Sequence, residues 1–467
     1  MYSVRQIDVD DKVSHHVNLD IFAETYPLET IEKLVQEQRE RDPKERRLRC
    51  LVPRSIVFFL LAMVLWTRLS QANVWKKLTH KLQVLHPAEP VLTVTAGALS
   101  YQRNLLGVAP LHSLMQQCCH PLCDPQTPGA FYRGYRIMAI DGTLFNVAET
   151  KANDAAFGRS KNQYGKGAYP QVRSVFLMEC GSHATIDISV QPYSRSEVHG
   201  AHEVLASVQA GMLVTHDAGL FGGGLWQGIR GQGAHVLSTL AYTVLTHRVY
   251  TLRDGSYLAW LHPSHDAAYP LHKPMLIRVF EYQLTDERLG EPGTVYRLAT
   301  TLLNARLAPA LELVVLYHER WEVELAFDEI KTHQRQYQKV LRSKTPEGVR
   351  QEIYATVLAH YAVRSLMVQA ARKDHIDPDR LSFTAALFQI QEAIDDGMTF
   401  APEHGPHLRA GLLARLASEV LPPRRLRVNR REVKKVYNKY KPKKRDVPPP
   451  APFRPHERFE DFVKLIA

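Results

Sequence analysis

The chain has 467 residues, enough for two to four domains and a large buried core, and its 45% hydrophobic and 23% charged residues describe an ordinary soluble protein. The net charge of +11 is concentrated in residues 424–445, where twelve Lys and Arg accompany one Glu. A basic segment on a near-neutral body favours a polyanionic partner, in particular nucleic acid. A disordered solubilising tail is the alternative interpretation of this segment.

Cysteine usage and hydropathy exclude several classes of protein. The cysteines are few and irregularly placed, which excludes a disulfide framework and favours a reducing cytoplasm. Cys118, Cys119, His120 and Cys123 lack a second ligand pair, so a structural role is favoured over a zinc site. The polar N-terminus predicts no secretory signal. The apolar run Ile56–Trp66 has eleven residues, fewer than the roughly 20 of a spanning helix, and predicts a buried core helix.

Residues 1–125 predict an N-terminal helical domain that could contact DNA. Arg46, Arg47 and Arg49 do not decide that point, because a solvated charged face explains them as well. Helices are predicted from apolar periodicity at Leu28–Arg41, Arg54–Leu69, Ala72–Gln83 and Ser100–Cys118. A linker rich in Pro and Gly follows at Pro121–Gly134.

The next region, residues 130–241, predicts the first part of an α/β domain with a mixed sheet flanked by helices. A short apolar strand, Tyr135–Asp141, ends in Asp-Gly, and Thr143–Ala148 is interpreted as a strand paired with it. The polar segment Lys151–Lys166 is interpreted as a loop that either tracks a DNA backbone or is simply solvated. Further strands are predicted at Val172–Cys180, Ala184–Val190, Gly211–Asp217 and Ala234–Leu240, with a helix at Val198–Gln209.

Residues 242–303 predict a β-rich insertion, residues 304–400 the second part of the core, and residues 401–467 a C-terminal region with the basic segment. The run Gly222–Gly224 lacks the Lys-Ser/Thr of a phosphate-binding loop and is interpreted as a flexible connection. Strands are predicted in the insertion at Tyr250–Trp260, Met275–Tyr282 and Val295–Leu302, and helices follow at Pro309–Gln338, Pro346–Ala371 and Ser382–Asp396.

The long helix carries a spaced set of polar residues, Tyr317-x2-Arg320-x3-Glu324-x6-Lys331. On one uninterrupted helix these residues fall close to one face. Glu324 could hold a divalent cation there, while Arg320 and Lys331 could hold phosphate oxygens. A surface helix with ion pairs at i,i+4 spacing is the alternative.

Two more carboxylates follow predicted strands, as a metal-dependent nuclease site requires. The carboxyl ends of strands in an open sheet collect reactive groups, so Asp141 and Asp217 could meet Glu324 if their strands are neighbours. Three carboxylates with open positions suit Mg²⁺ or Mn²⁺, which can drive an in-line displacement at phosphorus. Taken singly, Asp141 could begin a hairpin turn and Asp217 could cap a helix.

The three motifs together resemble the IS4 family of insertion-sequence transposases, relatives of the Tn5 transposase. The motifs are Asp141-Gly-Thr, Thr215-His-Asp217-Ala-Gly-Leu-Phe221 and the Tyr-Arg-Glu-Lys spacing, and the segment Ser343–Tyr354 adds to the resemblance, which spans roughly residues 20–370. The residues after Asp217 depart from the family pattern, since Ala-Gly stands where Arg-Gly is expected.

The resemblance implies an RNase H-like core in which Asp141, Asp217 and Glu324 form a DDE triad that binds Mg²⁺. It implies cut-and-paste transposition through a hairpin at the transposon end, by a homodimer on double-stranded DNA in the bacterial cytoplasm and nucleoid. Tyr317, Arg320 and Lys331 match positions expected to bind DNA. Trp260 is a candidate for stacking on a flipped base, with Tyr257 and Tyr296 as alternatives. Two other hypotheses remain open, namely a catalytically silent DNA-binding protein and a nuclease that cuts without joining.

Overall fold

The computed structural model describes residues 17, 19–42, 51–84, 94–162, 165–241, 243–244, 246–263, 268–289, 293–318, 320, 322–397, 404–422 and 451–466. Arg46, Arg47, Arg49 and the basic segment 424–445 lie outside these residues. The chain divides into two compact units. The first contains Met1–Val214, Gln232–Ala234 and Trp321–Leu421, and the second contains Thr215–Gly231, His235–Arg320 and Pro422–Ala467.

The first unit begins with five helices that largely follow the predicted periodicity. Helix α2 is buried along Ser55–Leu65, as its apolar sequence predicts. The predicted helix Ser100–Cys118 is wrong as a single element, because Gly107 ends α4 with a φ of 70°, a left-handed conformation that favours glycine. The five helices are α1 (Leu28–Arg41), α2 (Pro53–Leu65), α3 (Gln71–Val84), α4 (Ala96–Leu106) and α5 (Ala109–Cys118).

The sheet of the first unit has the strand order β6-β5-β2-β7, with β1 and β13 also pairing with β2. Strand β13 is parallel to β2, while β1 and β5 are antiparallel to it, so the sheet is mixed. A separate small hairpin is formed by β3 and β4. The strands are β1 (Phe131–Tyr132), β2 (Tyr135–Val147), β3 (Lys161–Asn162), β4 (Gly165–Lys166), β5 (Gln171–Glu179), β6 (Thr185–Pro192), β7 (Met212–His216) and β13 (Val340–Leu341).

Strand β2 corrects the predicted strand, turn and strand around Asp141-Gly142. It is continuous over thirteen residues and pairs with β5 from Met138 to Asn146 without a register shift. Gly142 is required by packing rather than by a turn, since a Cβ there would lie 2.7 Å from Cγ of Glu197. Asp141 therefore lies in the middle of a strand and not at its end.

The remaining helices of the first unit include the long helix α11, which is buried along most of its length and contacts α2, α12 and α13. The predicted polar loop Lys151–Lys166 is wrong in part, since it contains α6 and the β3–β4 hairpin; α13 was not predicted. These helices are α6 (Lys151–Phe157), α7 (Glu197–Glu203), α10 (Glu322–Asp328), α11 (Pro346–Lys373), α12 (Phe383–Gly397) and α13 (Gly405–Ser418).

The second unit is built on an antiparallel sheet with the order β8-β12-β11-β10-β9. The C-terminal strand β14 also pairs with β11. The predicted strand Tyr250–Trp260 is wrong as one element, because a turn at Asp254 and Gly255 divides it into β9 and β10. The elements are α8 (Gly223–Gly231), β8 (His235–Thr239), β9 (His247–Thr251), β10 (Tyr257–Leu261), β11 (Met275–Leu284), β12 (Val295–Thr300), α9 (Ala310–His318) and β14 (Val463–Ile466).

Helix α8 replaces the flexible connection that the glycine run predicts. Gly223 and Gly224 begin this helix because they pass close to another segment of the chain: a Cβ on Gly224 would lie 2.3 Å from the backbone oxygen of Tyr269, and one on Gly223 would lie 2.7 Å from Cβ of Leu271. The glycines therefore allow close packing at the start of a helix.

The fold class predicted from the sequence, a mixed α/β protein with a sheet flanked by helices, is confirmed. Within the described residues, no helix has the length and apolar character needed to cross a bilayer. The described cysteines, Cys118, Cys119, Cys123 and Cys180, are free thiols.

Candidate active site

Asp141 projects from the middle of β2 and is half-buried. Its Oδ1 accepts a hydrogen bond of 2.7 Å from the backbone N–H of Gly142. Helix α7 packs against this part of the strand, where Glu197 occupies the space that a side chain at Gly142 would need and forms an ion pair of 2.8 Å with Arg173. The backbone around Asp141 is thus fixed by strand pairing and by α7.

The predicted long helix Pro309–Gln338 is wrong as one element in the described residues. Glu324 lies on α10, which buries Val323 and Ala326 and leaves Glu324 half-buried. Lys331 lies on the π-helix that follows, Glu329–His333, whose i→i+5 hydrogen bonds change the helical period. A single helical face shared by all four polar residues is therefore not formed.

Lys331 is held against β2 in the first unit. Its Nζ donates a hydrogen bond of 2.9 Å to Oγ1 of Thr143, two residues beyond Asp141. Burial, followed by the charge of Arg335, lowers the pKa of Lys331. The ammonium group also lies over the ring of Phe145, 5.9 Å from its centroid. Lys331, the predicted phosphate-binding lysine, therefore contacts the same strand that carries Asp141, the first predicted aspartate.

A buried network of charged side chains anchors the helical segment that carries Glu324. Glu322 and Glu329, which lie on either side of Glu324 in the sequence, both contact His183: its Nε2 lies 3.0 Å from Glu322 Oε2 and its Nδ1 lies 3.1 Å from Glu329 Oε1. Arg364 donates from Nε to Glu329 Oε2 at 2.9 Å, and a second, shorter contact joins Nη2 to Oε1. Asp379 Oδ1 lies 3.2 Å from His183 Nε2.

The charged groups of this network shift one another's pKa values. Burial lowers the pKa of His183, but Asp379 and Glu329 overcome that effect and raise it to about 9. Burial raises the pKa of Asp379 to about 7. The ligand atoms of His183, Glu322 and Asp379 lie within 4.8 Å of one another, a spacing that a cation would fit. The group is distinct from the predicted triad. Carboxylates face both nitrogens of the His183 imidazole, and the guanidinium of Arg364 also contacts Nδ1.

Asp217 directly follows the end of β7, as predicted, and belongs to the second unit together with the last two residues of that strand, Thr215 and His216. It is half-buried, and its Oδ1 accepts hydrogen bonds from the N–H groups of Gly219 at 2.9 Å and Leu220 at 3.2 Å. Asp217 is therefore the N-cap of the short 3₁₀ turn Ala218–Leu220. The capping interpretation is correct for Oδ1, and it fixes the direction in which the carboxylate points.

Fully buried side chains surround the backbone at Asp217. Nε1–H of Trp226 donates to Nε2 of His216 at 3.0 Å, and Nδ1 of His216 lies 2.8 Å from the carbonyl oxygen of Asp217. Oγ of Ser238 lies 3.0 Å from the same Nδ1. Burial lowers the pKa of His216 to about 4. The sequence prediction included Asp217 but not these neighbours.

Tyr317 and Arg320 also lie in the second unit. The hydroxyl of Tyr317 donates to the carbonyl oxygen of His216 at 3.1 Å and accepts a short hydrogen bond from Oγ1 of Thr239. The guanidinium of Arg320 lies over the Tyr317 ring, 5.6 Å from its centroid. Burial raises the pKa of Tyr317, with Arg320 acting in the opposite direction. Tyr317 is therefore bound to the strand that precedes Asp217.

The aromatic candidates in the insertion differ in exposure. Trp260, on β10, is 39% exposed, whereas Tyr257 is 9% exposed. Tyr296 stacks on Tyr282 with ring centroids 5.3 Å apart. Trp260 is thus the candidate whose ring is most available to a partner.

Each unit holds part of the predicted set: Asp141, Glu324 and Lys331 in the first, and Asp217, Tyr317, Arg320 and Trp260 in the second. A family model described as "Transposase DDE domain" matches residues 132–362, and one described as "Insertion element 4 transposase N-terminal" matches residues 16–116. The chain is 29% identical over 393 residues to the transposase InsG for insertion sequence element IS4 of Escherichia coli (strain K12), which covers 81% of this chain and 86% of the relative.

The chain belongs to the IS4 family of DDE transposases. This IS4-family transposase is also 24% identical over 199 residues to InsZ of Escherichia coli (strain K12), covering 42% of this chain and 62% of that relative. Among solved structures it is similar to the piggyBac transposase synaptic complex with hairpin DNA, with a TM-score of 0.42 and 12% identity over 91% of this chain and 88% of that one.

Family membership confirms the resemblance drawn from the motifs and agrees with an RNase H-like fold. It also implies action on DNA and dependence on a divalent metal. Asp141 and Glu324 in the first unit and Asp217 in the second are half-buried carboxylates, and each offers the hard oxygen ligands that a divalent metal takes. Lys331 and Arg320 are cations, the groups that pair with phosphate oxygens.

Proposed function

We propose that this protein is a DNA transposase that moves its own insertion sequence by metal-dependent cleavage and strand transfer. The observation that carries the proposal is the match of both family models along the chain, together with acidic residues at all three motif positions, Asp141, Asp217 and Glu324. A catalytically silent DNA-binding protein would not need to keep all three carboxylates.

The three carboxylates are proposed as the ligands of Mg²⁺, for which Mn²⁺ can substitute. Bound to these carboxylates, two such cations would supply activation of the attacking water or 3′-hydroxyl and stabilisation of the leaving oxygen. The chain's own residues would position this chemistry. Asp217 is oriented by the N–H groups of Gly219 and Leu220, and Glu324 by the helix that the His183 network anchors.

Cationic and aromatic side chains are proposed to hold the DNA. Arg320 and Lys331 would offset the negative charge that builds on the phosphorus oxygens during displacement. Trp260 would stack on an unpaired base, for which its exposed ring is suited. Tyr317 remains a predicted DNA contact. The basic segment 424–445 would bind phosphates without reading sequence.

The assembly is proposed to be a homodimer that holds two transposon ends, with hairpin formation at the end that is cut. The proposed domain boundaries are those predicted from the sequence. Residues 1–125 form the N-terminal helical domain, residues 130–241 and 304–400 the RNase H-like core, residues 242–303 the insertion and residues 401–467 the C-terminal region. Its place of action would be the bacterial cytoplasm and nucleoid.

The test is cleavage of labelled DNA carrying the sequences that flank this gene, with the wild type, Glu324→Gln and a matched control. Asp328→Asn is that control, because Asp328 is an exposed carboxylate on the same helix, α10. We expect cleavage at a defined end by the wild type and Asp328→Asn but not by Glu324→Gln, with DNA binding retained in all three. Equal binding and no cleavage in Mg²⁺ or Mn²⁺ by any of them would favour the silent protein.

Joining is tested separately from cutting. The cleaved end is incubated with a supercoiled target plasmid, and joined products are detected by primer extension across the junction. Cleavage without any joined product would replace the transposase by a nuclease that only cuts.

A further inference from the structure

The fully buried pair Trp226–His216 defines the protonation of an imidazole next to a predicted metal ligand. Both side chains are completely buried. The indole N–H of Trp226 can only donate, and it points at Nε2 of His216 from 3.0 Å. Nε2 must therefore be the unprotonated acceptor, which makes the imidazole neutral and places its proton on Nδ1.

The Nδ1 proton in turn holds the peptide group of Asp217. Nδ1 lies 2.8 Å from the Asp217 carbonyl oxygen and 3.0 Å from Oγ of Ser238, so Nδ1–H is shared between these two acceptors. The hydroxyl of Ser238 can donate to the carbonyl oxygen of Thr239, 3.2 Å away, or to that of Asp217, 3.4 Å away. Nδ1–H of His216 therefore makes the shortest of the contacts to the Asp217 carbonyl.

A second contact fixes the preceding peptide. The carbonyl oxygen of His216 accepts a hydrogen bond of 3.1 Å from the hydroxyl of Tyr317, which itself accepts from Thr239. Two consecutive carbonyl groups, those of His216 and Asp217, are therefore bound by side chains. Asp217 Oδ1 is fixed by the backbone N–H groups of Gly219 and Leu220. Together these contacts leave the backbone and side chain of Asp217 little freedom to rotate.

We propose that Trp226, His216 and Tyr317 are positioning residues for Asp217, with Trp226 selecting the Nδ1–H tautomer of His216 that holds the Asp217 peptide. The inference rests on the proposed function of Asp217 as a metal ligand. Side chains that orient a metal ligand typically change metal affinity or activity by about 10- to 100-fold when they are replaced. In this role Tyr317 acts through the His216 backbone, in addition to its proposed contact with DNA.

Two replacements of His216 separate the two hydrogen bonds. In His216→Asn the amide nitrogen occupies the place of Nδ1 and can still donate to the Asp217 carbonyl, but Trp226 loses its acceptor. In His216→Gln the amide oxygen can still accept from Trp226, but the donor to Asp217 is lost. Trp226→Phe removes the indole N–H and, because the buried phenyl ring is smaller than the indole, also leaves a cavity whose cost thermal unfolding measures. Each variant is measured for thermal unfolding, affinity for labelled transposon-end DNA, and cleavage as a function of Mn²⁺ concentration.

We expect His216→Asn to lower the melting temperature more than His216→Gln does. Its Mn²⁺ concentration for half-maximal cleavage should stay close to that of the wild type. We expect His216→Gln to fold and bind DNA well but to need about 10- to 100-fold more Mn²⁺ for half-maximal cleavage. The ¹⁵N spectrum of histidine-labelled protein should assign His216 as a single Nδ1–H tautomer, by comparison with the variant that lacks it. In Trp226→Phe that single signature should be lost.

Equal loss of cleavage in His216→Asn and His216→Gln, or an Nε2–H tautomer in the wild type, would overturn the inference. Tyr317→Phe adds an independent check: positioning predicts weaker cleavage at unchanged DNA affinity, and a fall in affinity alone would remove Tyr317 from the network. A wild type that never cuts DNA would refute the proposed function. The tautomer is measured on the protein alone, so the two failures are distinguishable.

Discussion

The charge on His183 should make the stability of this protein fall in mildly alkaline solution. His183 is almost completely buried, and Glu322, Glu329 and Asp379 face it together with the cation Arg364. Burial lowers its pKa, but the carboxylates raise it from 6.5 to about 9. The folded state therefore binds the proton more tightly than the unfolded chain does.

The sign and size of the effect follow from that difference. Because the pKa is higher in the folded state, the stabilisation is complete below pH 6.5 and is lost as the pH rises towards 9. At 1.36 kcal/mol per unit of pKa, the loss amounts to about 3 kcal/mol of unfolding free energy. Burial raises the pKa of Asp379 from 3.8 to about 7, so the folded protein also loses stability as the pH rises through this lower range.

The assay is urea unfolding at a series of pH values between 6 and 10, compared between the wild type and His183→Gln. The variant cannot gain the proton, so it should be less stable at pH 6 and should lack the alkaline decline that His183 causes. The difference between the two unfolding free energies should shrink by about 3 kcal/mol across this range. If the unfolding free energies of the two proteins change in parallel with pH, His183 is not charged. The cluster of His183, Glu322 and Asp379 would then be interpreted as a cation-binding site.

Three further outcomes follow from single contacts. Gly142→Ala should destabilise by about 1–3 kcal/mol in urea unfolding, because its Cβ would meet Glu197; unchanged stability would contradict the packing argument. Phe459→Ala should cost about 3–5 kcal/mol and expose the C-terminal strand to proteolysis, since Phe459 stacks on His318 with centroids 3.8 Å apart; Phe459→Leu should cost less. Lys331→Met should slow cleavage about 10²- to 10³-fold in single-turnover assays, and a normal rate would exclude its role at the phosphate.

Local patterns were sufficient for elements whose neighbours in sequence are also their neighbours in space. The apolar helix α2 and the hairpin of β5 and β6 appear close to their predicted positions. Asp217 lies directly after β7, as the apolar run before it predicts. The family resemblance needed only the residue types and spacing of the motifs, so it did not depend on whether each motif formed one helix.

Errors arose where distant residues decide the backbone. Asp141-Gly142 has the composition of a turn, yet pairing with β5 continues through it and Glu197 from α7 explains the glycine. The glycines that begin α8 are explained by close approach to Tyr269, which lies more than forty residues later. The local sequence does not signal the need for glycine at either place, because that need arises from a distant residue, Glu197 or Tyr269, that packs against the glycine.

The helical segment of Glu324 illustrates the same limit with charges. Periodicity predicts a regular helix, but the backbone changes to a π-helix at Glu329, whose side chain is bound by His183 and Arg364 from other parts of the chain. Since Glu322 and Glu329 are bound to these cations, their replacement should act first on folding. Glu324 lies between them on the same segment, so the network can fix its position without taking part in the chemistry. Under the proposed function, stability and catalysis thus depend on different carboxylates only a few residues apart.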